Sequence, residues 1–330
     1  MTDFSRRHFN RCLSCLVPVL AGLPAWGHAQ TEAAPGRLLV GYPAGGTLDQ
    51  TSRRLSQAWK AHKLHYLVDN RPGAAGRIAS AQLKRERADG GVLLCTHTSA
   101  MTIYPQVYAN LPYDPVKDLR PAALLASATC ALAISSAVPA EVRTLADYVR
   151  WLKASDTGRT YASPAAGSLA QFLGFRFSQA AGVPLTHVAY RGSAPAMQDL
   201  LGAQVPAYLG FVGDFLQYLG SGKLRLLAVS SDRRSRFLPD VPTFAEQGFG
   251  SVVGVESYGI FAPASTPEAT VAALAAATQA AARDKTLIGG LEQIGLEATY
   301  LGSSDYVRLI ATEREHWKPI VAASGFKADE

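Results

Sequence analysis

Short β-rich runs alternate with helical patterns along most of this chain, and that alternation restricts the available folds more than any other feature. Residues 37–42 lead to a helix from about Asp49, residues 64–68 lead to a helix from about Arg77, and a further β run covers 91–96. The pattern resumes with strands over 159–162, 186–190, 205–209 and 225–230, separated by helices over 168–181 and 194–201. This order predicts α/β architecture: parallel sheet with helices on both faces, in two units. Two extended segments, 123–135 and 252–262, are placed to connect the units, and the last third adds helices over 267–282 and 304–323. If both segments cross, the first domain is discontinuous, 36–130 plus 255–330, and the second is 131–254. A chain of 330 residues is long enough for two domains with real cores.

The N-terminus points to export. Ser5-Arg6-Arg7-His8-Phe9 precedes an apolar run from Leu13 to Trp26 and then Gly27-His28-Ala29. This reads as a twin-arginine signal peptide over residues 1–29, cleaved near Ala29, with a periplasmic destination. The run is too short to span a bilayer and is broken by Pro18, Gly22 and Pro24. Cys12 stands where a lipobox wants an aliphatic residue, which sets lipidation at Cys15 aside. Cys95 and Cys130 remain, either bridged or as two separate buried thiols.

Charge and motifs narrow the function. The formal net charge of +6 is spread out, and basic residues alternate with acidic ones in Lys84-Arg85-Glu86-Arg87-Ala88-Asp89, so no nucleic-acid partner is expected. No Gly-x-Ser-x-Gly, His-Glu-x-x-His or Gly-x-Gly-x-x-Gly occurs. His97 lacks ligating companions at metal spacing, since His62, His65, His187 and His316 are scattered. The expectation is no catalytic residue, no metal and no cofactor.

What remains is a loop suited to holding an anion. In Gly41-Tyr42-Pro43-Ala44-Gly45-Gly46-Thr47-Leu48-Asp49 a strand runs through a glycine pair directly into a helix. Glycines allow close backbone approach, and the first helical turn offers unpaired N–H groups at the positive end of its dipole. A second strand-to-helix junction, Tyr161-Ala162-Ser163-Pro164-Ala165-Ala166-Gly167-Ser168, ends in a good N-cap residue.

Together with Asn70-Arg71-Pro72-Gly73-Ala74-Ala75-Gly76, His187-Val188-Ala189-Tyr190-Arg191-Gly192-Ser193, Gly222-Lys223-Leu224-Arg225, Leu238-Pro239-Asp240-Val241-Pro242-Thr243 and Tyr258-Gly259-Ile260-Phe261-Ala262-Pro263-Ala264, these stretches resemble the Bug-type (TctC-like) periplasmic solute-binding receptors of tripartite tricarboxylate transporters. The resemblance covers essentially the whole chain beyond the leader. It implies a two-domain, type II periplasmic-binding-protein-like α/β fold, each domain a mixed sheet flanked by helices, closing by hinge motion on a ligand. It also implies a small organic carboxylate ligand held by backbone amides and ordered water, integral membrane transporter subunits as partners, and a monomer. By the family's map the ligand-binding residues are Tyr42, Ala44, Gly45, Gly46, Thr47 and Asp49 in the first loop, Thr98 and Ser99 after the next strand, Ser163, Ala165, Gly167 and Ser168 in the second loop, and the aromatics Tyr190 and Tyr258. Asp49 either favours its helix N-terminus or holds a water or a ligand ammonium. On this map a Ser163→Trp substitution blocks the site without unfolding the chain. The sequence departs from the family at Arg77, where Asn is usual, at Pro206 and Gly210, where acids are common, and at Glu256-Ser257, where Ser-Trp is common. Two rivals are a receptor that signals to a membrane sensor kinase and an exported periplasmic enzyme.

Overall fold

The computed structural model describes residues 34–155 and 158–328; the expected twin-arginine segment lies outside them. The first elements are β1 (Gly36–Val40), α1 (Thr47–Trp59), β2 (Tyr66–Asn70), α2 (Arg77–Leu83), β3 (Val92–His97), the short helices α3 (Ser99–Thr102) and α4 (Tyr104–Val107), and the long strand β4 (Leu119–Ser135). The middle of the chain forms α5 (Leu145–Ala154), β5 (Thr160–Ser163), α6 (Leu169–Ala181), β6 (Thr186–Ala189), α7 (Ser193–Leu201), β7 (Ala207–Phe211), α8 (Val212–Phe215) and β8 (Leu224–Val229). It closes with β9 (Val255–Pro263), α9 (Glu268–Ala281), α10 (Lys285–Glu292), β10 (Glu297–Gly302) and α11 (Ser303–Ser324).

The strands follow the order β2-β1-β3-β9-β4-β7-β5-β6, with β8 and β10 also paired to β4. Parallel pairing, expected from the alternation, holds for β1 with β2 and β3, and for β5 with β6 and β7. The extended segments make the sheet mixed. β9 runs antiparallel between β3 and β4, pairing with β4 from Leu119 to Thr129, while β4 pairs with β7 from Cys130 to Ile134 and with β8 from Ala131 to Ser135. One strand therefore belongs to both halves of the sheet.

Burial follows from the strand composition. β1 and β3 are almost wholly apolar, as expected for parallel strands covered on both faces. One face packs Leu38, Val40, Leu93 and Ile260 against Leu55 and Trp59 of α1 and Leu274 of α9. Another cluster runs beneath both halves, from Leu94 and Met101 through Tyr306 and Trp317 of α11 to Phe172 and Phe177 of α6. Each fully buried side chain of this size contributes roughly 1.5–3 kcal/mol. Cys95 and Cys130 are separate buried thiols in different clusters, with no bridge between them.

Helix α11 is seated closely on β9. A Cβ at Gly259 would lie 2.4 Å from the Tyr306 hydroxyl and ring, and the same ring packs on Phe261 with 5.4 Å between centroids. Gly259→Ala is expected to lower stability by about 1–3 kcal/mol through this overlap, read as a fall in the urea midpoint at unchanged slope.

Candidate functional site

The first loop leaves β1 at Gly41 and enters α1 with Gly46 as its N-cap residue, where no side chain caps the helix. Residues from Pro43 to Thr47 are exposed, and Gly45 adopts φ +86°, a conformation that favours glycine. Asp49 folds back from the first turn and is only 2 % exposed. Its carboxylate accepts from the Gly45 N–H at 2.8 Å, from Arg53 Nε at 2.9 Å and from Asn70 Nδ2 at 3.0 Å. Burial alone would raise the Asp49 pKa, but the hydrogen bonds from Arg53, Gly45 and Asn70 outweigh it and hold the group below its ordinary value. Asp49 is thus the clasp of the loop, and the Gly45 amide is spent on it. The Gly46 N–H reaches back to the Pro43 carbonyl at 3.4 Å, while the Ala44, Thr47 and Leu48 amides meet no acceptor among the described residues.

The second loop leaves β5 at Ser163 and enters α6 through Ser168, whose hydroxyl accepts from the Gln171 N–H at 3.3 Å. The carbonyls of Ser163, Pro164 and Ala165 are turned inward. Ser163 O accepts from Tyr190 N at 3.0 Å, Pro164 O accepts from Gly192 N at 2.8 Å, and Ala165 O accepts from the Ser168 hydroxyl at 2.7 Å and the Ser163 hydroxyl at 3.0 Å. In a planar trans peptide the N–H points opposite the preceding carbonyl. The Ala165 and Ala166 amides therefore point away from these inward contacts, and neither meets an acceptor among the described residues. Gly167, by contrast, gives its N–H to Gln171 Oε1 at 2.6 Å.

An aromatic ladder joins the loops. The Tyr42 hydroxyl donates to Ala75 O at 3.0 Å and lies 2.5 Å from His97 Nε2. The His97 and Tyr104 rings are 5.6 Å apart, and Tyr104 meets Tyr108 edge-on at 5.2 Å. A Cβ at Gly167 would lie 3.9 Å from the Tyr108 hydroxyl. Burial lowers the His97 pKa to about 4 and raises that of Tyr42, so both are neutral across the physiological range. Arg77, the departure from the family pattern, lies with its guanidinium 3.8 Å over the Tyr108 ring.

Other expected residues serve the framework. Thr98 and Ser99 are buried, with the Thr98 hydroxyl shared between Ser257 O and Tyr306 and the Ser99 hydroxyl bonded to Glu256. Tyr190 donates to Asp199 at 2.6 Å, and Tyr258 is 5 % exposed within the core behind β9. Ser163 is fully buried, so a tryptophan there would disrupt the fold rather than merely block the site. Sequence reasoning passed over Gln171, Tyr104 and Tyr108. Gln171 stands three residues after Ser168, as in a capping box, and the tyrosines share one helical face at i and i+4. Two surface grooves, of about 530 Å³ along α2 and about 630 Å³ between α9 and α11, include no residue of either loop. Among the described residues no group of three or more His, Cys, Asp or Glu is arranged to hold a metal ion.

Two half-sheets sharing β4, with loops carrying free amides at strand ends, have the architecture of the periplasmic binding-protein class. The family model described as the tripartite tricarboxylate transporter family receptor, TctC, matches residues 53–326, and the chain belongs to that family. A UPF0065 protein of Bordetella bronchiseptica is 31% identical over 316 residues, covering 94% of this chain and 92% of its own. The solved structure of the periplasmic binding protein BugD is 26% identical with a TM-score of 0.78, covering 89% of this chain and 99% of its own. The Rhodopseudomonas palustris protein Rpa4515, solved with adipate, is 26% identical with a TM-score of 0.81, covering 89% of this chain and 98% of its own.

Glu256 carries a further electrostatic consequence. It is buried on β9, accepts from the Ser99 and Ser257 amides and from the Ser99 hydroxyl, and is pushed up to about 7 by desolvation. Because the folded pKa exceeds the ordinary glutamate value of 4.5, its stabilisation is fully present below pH 4.5 and is lost as pH rises toward 7. Glu313, pushed up to about 8 by burial and by Glu256, likewise loses its stabilisation as pH rises from 4.5 through about 8. Glu256→Gln should therefore gain stability relative to the parent between pH 4.5 and 7, by up to about 3 kcal/mol. Paired urea titrations at the two pH values measure the difference.

Proposed function

We propose that the protein is an extracytoplasmic receptor that captures a small organic anion by one carboxylate and delivers it to the membrane subunits of a tripartite tricarboxylate-type transporter. The observation that carries this reading is the pair of strand-to-helix loops presenting amides without internal acceptors, at Ala44, Thr47 and Leu48 in one and Ala165 and Ala166 in the other. Such amides, at the positive ends of α1 and α6, bind a carboxylate without the cost of burying a guanidinium. The Thr47 hydroxyl is exposed beside them and adds a donor. Of the remaining expected residues, Asp49 clasps the first loop and Ser163 and Ser168 brace the second. The adipate in the Rhodopseudomonas palustris relative favours an aliphatic dicarboxylate or a similar acid as the ligand.

In this reading residues 36–130 plus 255–330 form one domain and 131–254 the other, with β4 and the segment that enters β9 crossing between them. Closure on the ligand bends these crossings, the chain acts as a non-catalytic monomer, and the twin-arginine leader carries it to the periplasm before cleavage near Ala29.

A thermal-shift screen of the mature chain against dicarboxylates, citrate, acidic amino acids and aromatic acids tests the proposal. At one hundred times Kd a ligand of the native state adds about 2.7 kcal/mol, a clear upward shift. Thr47→Pro removes one of the free loop amides, and the hydroxyl, at the first helical position after an extended Gly46 (φ −71°, ψ 169°), where proline is tolerated, and is expected to lower affinity at least about ten-fold while the apo melting point stays within a few degrees. Full affinity in this variant would remove the first loop from the site.

A further inference from the structure

The second loop is held by a histidine that lies outside it. His187, on β6, stands opposite Tyr161 in the parallel pairing with β5, so it shares a face with Ser163 two residues along. Its Nε2 is 2.7 Å from the Ser163 hydroxyl oxygen, and its ring packs against Tyr161 with 5.1 Å between centroids. The Ser163 hydroxyl also lies 3.0 Å from Ala165 O and 3.4 Å from the Ser168 hydroxyl.

Hydrogen-bond capacity decides how these groups share protons. A serine hydroxyl has one proton to donate. Ser168 accepts from Gln171 N and lies closest to Ala165 O, so its own proton goes to that carbonyl. If Ser163 donated to His187, Ala165 O would keep a single hydroxyl partner. If His187 donates, the Ser163 proton is free for Ala165 O, and both hydroxyls draw that carbonyl inward. The second arrangement places both hydroxyl protons and gives the Ala165 carbonyl two donors. Burial lowers the His187 pKa to about 4, so the ring is neutral near pH 7 and carries one N–H to give.

We infer that His187 is a positioning residue for the carboxylate-binding loop: its Nε2–H donates to Ser163, which frees the Ser163 proton for the Ala165 carbonyl and so turns the Ala166 amide toward the ligand. The histidine touches no ligand atom in this scheme. It acts through Ser163, and the inference rests on the receptor reading proposed above.

Two measurements test it on the mature chain. The ring nitrogen shifts of His187 in a 15N-labelled sample report its tautomer directly, and protonation at Nε2 is expected; an Nδ1–H tautomer overturns the inference. The second is a binding cycle with the carboxylate that gives the largest thermal shift, using His187→Phe, Ser163→Ala and the double variant. Phenylalanine keeps the packing on Tyr161 and removes the donor. Each single variant should weaken binding about ten-fold, and the double variant should lose little more than either alone, because both break one chain of hydrogen bonds. His187→Gln, which restores an N–H donor, should recover most of the affinity at a similar melting point. Additive losses, or full affinity in His187→Phe, overturn the inference while leaving the receptor reading intact. If His187→Phe does not fold, His187→Leu, which likewise lacks a donor, takes its place in the cycle, and additivity there is equally fatal. A parent protein that binds no carboxylate in the screen overturns the receptor reading and this inference with it, and is distinguished by the parent's own flat titration.

Discussion

Strand β4 is the constraint on which the rest of the structure depends. Its seventeen residues hydrogen-bond first to β9 and β10 and then to β7 and β8, so two parallel half-sheets share one continuous backbone. A strand hydrogen-bonded on both sides along its length cannot slip by one residue without turning every side chain to the opposite face. The register of β4 thereby fixes β9, which in turn sets β3 and the Ser99–Glu256 contact. The apolar cluster beneath both halves, completed by α11, reinforces the same geometry.

On this frame the two loops solve one problem in different ways. Both must present backbone amides without collapsing onto themselves, and both do so by occupying their other polar groups. The first uses a buried carboxylate: Asp49 accepts Gly45, Arg53 and Asn70, and Asn70 also donates to Tyr42 O. The second uses neutral hydroxyls, an amide and an imidazole, from Ser163, Ser168, Gln171 and His187. The ladder of Tyr42, His97, Tyr104 and Tyr108 then links one loop to the other through neutral, buried groups, so no net charge on these rings opposes an anion nearby.

The glycine pair before α1 and the serine before α6 were legible as helix entrances, because such residues are chosen by local backbone needs. Which amides stay free was not legible. Gly45 and Gly167 look like the natural donors, yet each is consumed by a side chain four residues on, Asp49 and Gln171. Thr98 and Ser99 likewise read as ligand contacts, but their hydroxyls find Ser257, Tyr306 and Glu256, which are more than a hundred residues away. The elements that went unseen, α3, α4 and α8 together with α5, α10 and β10, are short or lack the clear alternation that marked the others.

The sequence by itself determined the α/β alternation, the places where strands turn into helices and the family to which the chain belongs, since periodicity, glycine and cap residues act over a few positions. The tertiary structure alone decided the mixed pairing around β4, the separation of Cys95 from Cys130, and which loop amides are consumed by side chains, as at Gly45 and Gly167. Those outcomes depend on which distant donors and acceptors come within about 3 Å of one another, and only folding brings them there.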